Sequence, residues 1–217
     1  MINQSTEDYL KGIHKLGSGG GEVSTSALAR HLGIGDGSVT DMLKKLAAKK
    51  LIRYTPYRGV SLTAAGRRTA ITMMRRHRLW EIFLVDHLGY RWDELHAEAE
   101  RLEHVTSEVL ERRLSEMLGH PDTDPHGEPV PTADGTLPPV KGRPLAEFLP
   151  GDNVTIVRVS ADSSALLQHT AKLGLSLKAF VTIREIRSFD GSVVVEAGGV
   201  EKFLSREVAG SIFGEIA

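Results

Sequence analysis

Apolar residues recur every three or four positions through most of the first 118 residues, which is the spacing of helices with one buried face. The spacing predicts a first helix over about 5–16, a second that opens at Ser24 or Thr25 and stops at Gly33, and a third over 37–49. Only three or four residues separate the second helix from the third. A turn that short between two short helices is typical of a helix-turn-helix.

Two short alternating segments, 51–54 and 59–62, follow the third helix and flank Thr55-Pro56-Tyr57-Arg58. Alternation with a period of two predicts strands, so the pair forms a small hairpin, or wing. We therefore expect a winged helix-turn-helix domain over 1–62.

The next stretch, 63–119, is predicted to be helical. Thr63 caps a long helix that stops at Gly89, and a second helical stretch begins near Trp92. That stretch breaks near 106–107, and a last helix covers 108–118.

The character of the chain changes after residue 119. Residues 120–145 are too rich in proline for a helix or a central strand and are predicted to be a linker. In the last segment, 146–217, runs of β-branched residues predict strands at 154–159, 179–186 and 192–196. A short helix is expected near 164–173, and Asp190-Gly191 signals a hairpin turn. The fold class is mainly α, with a small C-terminal β-barrel-like domain.

The overall charge of −1 hides an asymmetry between the two ends of the chain. Residues 1–78 hold 14 Lys and Arg against 5 Asp and Glu, whereas residues 79–217 hold 13 against 23. A basic N-terminal part suggests a polyanionic partner, and an acidic remainder suits cations.

The absence of cysteine and of targeting signals from the sequence excludes several classes of protein. The chain has no cysteine, which excludes disulfides, zinc fingers and thiolate metal sites. Its start lacks the pattern of a signal peptide, and no apolar run approaches the ~20 residues that span a bilayer. We therefore expect a cytoplasmic protein with no membrane association.

The third helix and the wing carry residues suited to DNA. Short polar side chains at the start of a recognition helix can approach base edges, and lysines further along can meet phosphates. A basic helical domain that does not touch DNA is the alternative. The candidate DNA-binding residues are Ser38, Thr40, Lys44, Lys45 and Arg58.

Two helices each carry a stripe of imidazoles and carboxylates. His96, Glu100, Glu103 and His104 fall within an arc of about 100° on a helix, and His77 and Glu81 share a face. If the stripes face one another, nitrogen and oxygen donors converge without any thiolate. That ligand set suits Mn²⁺ or Fe²⁺, and less selectively Zn²⁺, Co²⁺ or Ni²⁺. The alternative is that these residues form a solvated helix face.

With these motifs in view, the chain resembles the diphtheria toxin repressor and manganese transport regulator family of metal-activated transcriptional repressors. The resemblance covers nearly the whole chain, including the winged helix, and the C-terminal segment resembles the family's SH3-like, FeoA-type module. It implies a homodimer that binds palindromic double-stranded DNA operators of metal-uptake genes. The stretches that carry it are Thr6-Glu7-Asp8-Tyr9-Leu10, Arg76-His77-Arg78-Leu79, Glu103-His104 and the linker 124–131.

The resemblance also implies a principal metal site formed by Asp8, Glu100, Glu103 and His104. Iron-type members have methionine and cysteine where this chain has Asp8 and Glu100, and carboxylates favour the harder Mn²⁺. Mn²⁺ is therefore the expected cofactor and Fe²⁺ the alternative, with Co²⁺, Ni²⁺, Zn²⁺ or Cd²⁺ as surrogates in vitro and no organic cofactor. Manganese regulators carry a second carboxylate where this chain has Lys11, and a protonated lysine cannot ligate. Asp8 has a structural alternative, because Ser5-x-x-Asp8 is the spacing of a capping box.

A second site implied by the resemblance uses His77, Glu81 and His96 together with residues of the linker and the C-terminal module. In the corresponding places this chain has Asp124, His126 and Asp162. For each of these three residues, a place in a solvated loop is the alternative to metal ligation.

Two other functions remain open at this point. Carboxylate and histidine sites also serve metal-dependent hydrolases, although no nucleophile, general base or glycine-rich phosphate loop stands out here. The chain could also be a winged-helix regulator whose effector is not a metal. We expect a binding protein rather than an enzyme.

Overall fold

A computed structural model describes residues 3–18, 21–160 and 164–217. The chain divides into two compact units. The N-terminal unit comprises Met1–Arg78, Glu100–Arg113 and Pro131–Leu137, and the C-terminal unit comprises Leu79–Ala99, Leu114–Val130 and Pro138–Ala217.

Helix α1 (Gln4–Leu16) begins because the Asn3 side chain accepts a hydrogen bond from the Thr6 N–H at 3.1 Å. Its apolar face buries Tyr9, Leu10 and Ile13. Since Asn3 is the capping residue and Ser5 already lies inside the helix, the capping-box interpretation of Ser5 and Asp8 is wrong.

Helices α2 (Thr25–Leu32) and α3 (Asp36–Ala48) form the predicted helix-turn-helix. The Ser24 hydroxyl caps α2 by accepting from the Ala27 N–H at 3.1 Å, and Gly33, with φ of +67°, ends it. Strands β1 (Ile52–Thr55) and β2 (Gly59–Leu62) pair as the antiparallel wing. The fully buried residues that join these elements in one core are Leu10, Leu28, Val39, Leu43, Leu46 and Val60.

Three further helices follow. Helix α4 (Ala64–Leu88) starts where the Thr63 hydroxyl accepts from the Gly66 N–H at 3.2 Å, and Gly89, with φ of +69°, follows its end. Helix α5 (His96–Glu103) begins later than predicted because residues 92–95 form turns instead. Helix α6 (Glu108–Met117) starts at the predicted break, where the Ser107 hydroxyl accepts from the Leu110 N–H. Within the described ranges no helix is long and apolar enough to cross a membrane.

The last part of the chain is a six-stranded antiparallel sheet in the order β3-β8-β4-β5-β6-β7. Its fully buried core includes Leu145, Ile156, Val181, Ile183 and Val195. The prediction found three of the strands and one of the helices. The elements are β3 (Arg143–Pro144), β4 (Asn153–Val159), α7 (Ser164–Lys172), β5 (Phe180–Ile186), β6 (Val193–Ala197), β7 (Val200–Leu204), α8 (Arg206–Ser211) and β8 (Ile212–Ile216).

The proline-rich linker, predicted over 120–145, forms no helix or named strand over 120–142, but its last residues form β3 and begin a short 3-10 helix, Leu145–Glu147. Its segment 124–128 is nevertheless closely held within the C-terminal unit. The Asp124 Oδ1 atom accepts from the backbone N–H groups of His126 and Glu128 at 2.8 and 2.9 Å. At Gly127, with φ of +85°, a Cβ atom would lie 2.1 Å from the Val157 carbonyl oxygen, so only glycine fits there. The linker therefore presents Asp124 and His126 from an ordered turn.

Candidate metal centres and nucleic-acid interface

Three of the predicted ligands come together in the N-terminal unit. One ligand atom from each of Asp8, Glu100 and His104 lies within 4.8 Å of the other two. Asp8 lies on α1, Glu100 lies on α5, and His104 is the first residue after α5. Glu100 and His104 are four residues apart, so helical spacing brings them together, and the fold places Asp8 of α1 beside them.

The orientation of His104 leaves one ring nitrogen available to a cation. Its Nδ1 lies 2.7 Å from the Glu7 Oε2 atom, and because a carboxylate only accepts, Nδ1 carries the proton of the neutral ring. The lone pair is then on Nε2. A second partner that fixes the tautomer in this way is typical of histidines that ligate metals.

The His104 Nε2 atom lies 3.0 Å from Asp8 Oδ1. Both atoms are buried, and neither has a hydrogen-bond partner in the part of the chain that the structure describes. Buried polar atoms without partners are unfavourable, and a cation bound by both atoms would remove that cost.

The electrostatics of Asp8 favour the same conclusion. Burial is the main factor that raises the pKa of the Asp8 carboxyl, and the carboxylates of Glu100 and Glu103 raise it further, whereas Lys11, and His104 when its ring is protonated, lower it. An ionised Asp8 is thus unfavourable in this environment without additional positive charge.

Glu103, the fourth predicted ligand, is fully buried and contacts Lys11, His77 and His104. Its Oε1 lies 2.6 Å from Lys11 Nζ and 3.6 Å from His104 Nε2, and its Oε2 lies 2.5 Å from His77 Nδ1. Lys11 Nζ also lies 2.9 Å from Glu100 Oε2. Ligation by Glu103 stays a prediction, since the three-residue cluster does not include it.

A second cluster lies in the C-terminal unit, where one ligand atom from each of Glu81, Asp124 and His126 lies within 4.8 Å of the other two. All three residues are buried. The His126 Nε2 atom lies 2.7 Å from the Trp92 carbonyl oxygen, which can only accept, so Nε2 carries the proton. The lone pair is therefore on Nδ1, which is buried, lies 3.8 Å from Glu81 Oε2 and has no hydrogen-bond partner among the described residues.

The remaining predicted ligands differ in how the structure places them. The Nδ1 atom of His96 lies 3.4 Å from Glu81 Oε1, and its side chain is 61% exposed. Asp162 lies outside the described residues. The solvated-loop alternative is wrong for Asp124 and His126, because both are buried.

The donors of both clusters fit a divalent ion of the first transition row. Each cluster offers one imidazole nitrogen with a fixed lone pair and carboxylate oxygens, with no sulfur. That set suits Mn²⁺ and Fe²⁺ best. Sequence reasoning missed Glu7 and the Trp92 carbonyl, because their contacts with histidine cross 97 and 34 residues and follow no local spacing.

The candidate DNA-binding residues lie on the surface of the winged domain. Ser38, Lys44, Lys45 and Arg58 are exposed. Thr40 is half-buried, and its hydroxyl donates to the Asp36 carbonyl at 2.9 Å.

Tyr57, at the tip of the wing, was not among the sequence candidates. It is fully exposed and has φ of +65°, a backbone conformation that is uncommon for a bulky residue. Such strain is often found at functional sites, so we add Tyr57 to the candidates.

Three family models match successive parts of this chain. Residues 1–60 match the iron dependent repressor N-terminal DNA binding domain, residues 63–132 match the iron dependent repressor metal binding and dimerisation domain, and residues 143–216 match the FeoA domain.

Among curated relatives, the iron-dependent repressor IdeR of Mycobacterium leprae is 41% identical over 127 residues, which cover 58% of this chain and 55% of that protein. The diphtheria toxin repressor of Corynebacterium diphtheriae is 33% identical over 130 residues, which cover 60% of this chain and 58% of that protein. The matched part of the chain thus spans little more than half the length of these relatives.

Solved structures match over almost the full length. A manganese-dependent transcriptional repressor in complex with manganese is 38% identical, with a TM-score of 0.88 over 98% of this chain and all of that chain. The manganese regulator SloR is 30% identical, with a TM-score of 0.83 over all of both chains. ScaR with bound Cd²⁺ is 32% identical, with a TM-score of 0.85 over 98% of this chain and 99% of that chain.

Proposed function

The chain belongs to the diphtheria toxin repressor and manganese regulator family of metal-dependent transcriptional repressors, and from this premise we propose that it is a metal-activated repressor. Binding of a divalent ion increases its affinity for double-stranded operator DNA. The observation that carries the proposal is His104 Nε2, a buried nitrogen with a fixed lone pair, no hydrogen-bond partner among the described residues and two carboxylates beside it.

Mn²⁺ is the proposed ion, with Fe²⁺ as the alternative. The ligand clusters contain carboxylates and imidazoles, which suit hard and borderline cations. The full-length structural matches include a repressor described as a complex with manganese, whereas the curated relative IdeR is named as an iron-dependent repressor. All of these relatives are named as repressors or regulators, which supports a binding role rather than catalysis.

The winged domain is the proposed contact with DNA. Lys44, Lys45 and Arg58 would meet phosphates, while Ser38 and Thr40 lie toward the start of α3, where recognition helices approach base edges. Because the Thr40 hydroxyl already donates to the Asp36 carbonyl, its methyl group is the better candidate for a base contact. The protein would act in the cytoplasm, beside the DNA that it binds.

A homodimer is proposed because palindromic operators require two recognition helices. Around α6 the N-terminal unit exposes three apolar side chains, Val105, Val109 and Leu110. An exposed apolar patch of this kind suits burial against a second copy of the chain.

Asp8 connects the metal site to the DNA-binding elements. Helix α1 carries Asp8 on one side and buries Tyr9, Leu10 and Ile13 in the core of the winged domain on the other. When bound, the ion supplies positive charge that joins Asp8 to Glu100 and His104. The position of α1, and of the winged domain packed on it, would then be fixed relative to α5, which selects the DNA-binding conformation.

The other segments have proposed roles as well. We assign DNA reading to 1–62, dimerisation and metal binding to 63–119, a ligand-bearing linker to 120–145, and a module that supports the second metal site to 146–217. Glu81, Asp124 and His126 would hold the second ion, and His77, His96 and Asp162 are further candidates.

Fluorescence anisotropy with labelled DNA tests the proposed function. The duplex is first selected from a random library by the purified protein in the presence of Mn²⁺. We expect affinity for this duplex to fall at least about tenfold, or ~1.4 kcal/mol, when a chelator replaces Mn²⁺. Equal affinity in both conditions would contradict metal activation and leave DNA binding intact.

A further inference from the structure

Lys11 places a cationic side chain beside the candidate ligands of the N-terminal cluster, where a bound metal ion would also be positive. Its Nζ lies 2.6 Å from Glu103 Oε1 and 2.9 Å from Glu100 Oε2, and its side chain is only 19% exposed. Buried lysines are rare unless they are paired, and here two carboxylates provide the pairing.

The two carboxylates stabilise the ammonium form of Lys11, because Nζ donates a charge-assisted hydrogen bond to each of them. Lys11 therefore contributes a positive charge and has no lone pair with which to bind an ion.

We propose that the Lys11 ammonium is a permanent cation of this centre, where it stays paired with Glu100 and Glu103. It thereby limits the centre to one exchangeable divalent ion, bound by Asp8, Glu100 and His104. The inference rests on the proposed function, since it assumes that this cluster binds metal. Glu100 contacts Lys11 and also belongs to the ligand cluster, so it connects the Lys11 ammonium with the divalent ion.

The position of the ammonium supports a single ion. Lys11 Nζ already contacts Glu100 Oε2 and Glu103 Oε1. A second divalent ion bound by these oxygens would lie next to the Lys11 ammonium, and like charges repel strongly at such short distances.

The same contacts predict how the metal-free protein behaves. Because the Lys11 ammonium bonds α1 to two residues of α5, these helices stay connected when the ion is removed. Lys11 thus keeps the centre partly assembled without metal, and the ion adds the connection through Asp8.

The test counts bound Mn²⁺ per chain, from the free Mn²⁺ signal in electron paramagnetic resonance, in the full-length wild type and its variants. Asp8→Asn should bind one ion fewer than the wild type, which assigns one ion to this centre. Lys11→Glu should bind one ion more than the wild type, because it replaces the fixed positive charge with a further carboxylate. Lys11→Arg is the matched control and should keep the wild-type number.

A loss of two ions in Asp8→Asn, no loss at all, or no gain in Lys11→Glu would overturn the proposal. If Lys11→Glu does not fold, the melting temperature of Lys11→Met provides a second test. Melted in chelator, Lys11→Met should unfold at a lower temperature than the wild type, and added Mn²⁺ should raise its melting temperature by more than it raises that of the wild type or Lys11→Arg. Equal shifts in all three proteins would also overturn the proposal.

These measurements separate the inference from the proposed function because they use no DNA. If Mn²⁺ activates DNA binding while Lys11→Glu gains no ion, the repressor proposal stands and the role of Lys11 is refuted. If Lys11→Glu gains its ion while Mn²⁺ leaves DNA binding unchanged, the reverse holds.

Discussion

In both clusters, a residue outside the cluster determines which ring nitrogen of the histidine carries the proton and leaves the other nitrogen available to a metal ion. Glu7 holds the proton of His104 on Nδ1, and the Trp92 carbonyl holds that of His126 on Nε2. In each ring the other nitrogen is buried and has no hydrogen-bond partner in the described part of the chain. These two atoms are the strongest indication of metal at the residue scale, because exposed acidic clusters are common without any ion.

Replacing Glu7 should therefore weaken metal binding through His104. Glu7→Leu removes the acceptor, and we expect the Mn²⁺ affinity of the N-terminal centre to fall by roughly 10–100-fold, which is typical for the loss of such a partner. Glu7→Gln retains a carbonyl acceptor at the same place and should lose much less. Isothermal titration calorimetry measures both, and equal losses would show that the orientation of His104 does not depend on this hydrogen bond.

Asp8 carries a cost in the metal-free protein that a neutral residue would avoid. Burial is the main reason why the pKa of its carboxyl is raised in the folded chain. The ionised carboxyl consequently destabilises the fold above that folded-state pKa, and the penalty disappears as the pH falls below the ordinary value of 3.8. We expect Asp8→Asn to melt at a higher temperature than the wild type in chelator at neutral pH, with a difference that shrinks toward acid. A lower melting temperature would show that Asp8 stabilises the metal-free fold.

At the scale of the elements, caps and turns decided what the sequence could predict. The helices α2 and α4 begin and end close to their predicted bounds because Ser24, Thr63, Gly33 and Gly89 signal them locally. Strand β7 was missed because most of its residues are exposed, so it lacks a clear apolar face. The adjacent positive-φ pair Gly198 and Gly199 was an available signal for the hairpin between β6 and β7.

The wing is the element whose role in DNA binding is easiest to isolate. Arg58 is exposed at its tip. If it contacts a phosphate, Arg58→Ala should weaken binding to selected and random DNA alike and reduce the slope of log affinity against log salt by about one unit. Lys141→Ala, which removes another exposed cation in the linker, is the control and should change neither quantity. A loss confined to the selected sequence would instead indicate a base contact.

At the scale of the whole molecule, dimerisation should determine how the protein reads a palindrome. Val109 is 54% exposed on α6, and a charge in a dimer interface there would be buried at high cost. We expect Val109→Glu to be monomeric in sedimentation velocity and to bind the palindrome much more weakly, because avidity is lost. Val140→Glu, at a residue that is 51% exposed in the linker, should remain dimeric. A dimeric Val109→Glu would place the interface elsewhere.

The sequence could indicate which residues were candidate ligands but not how they are grouped. Helical spacing related Glu100 to His104, yet only folding brings Asp8 to them and separates Glu81, Asp124 and His126 into a cluster of their own. The pairing of Lys11 with Glu103 spans 92 residues, and no pattern in the sequence encodes it.

The most direct test of the account compares the response of DNA binding to Mn²⁺ in the wild type and in Asp8→Asn. By fluorescence anisotropy on the selected duplex, Mn²⁺ should raise the affinity of the wild type at least about tenfold, or ~1.4 kcal/mol. The same addition should leave Asp8→Asn close to its chelator value, and its melting temperature would show that the variant is folded. A wild-type response that persists in full in Asp8→Asn would contradict the claim that metal at this centre controls DNA binding.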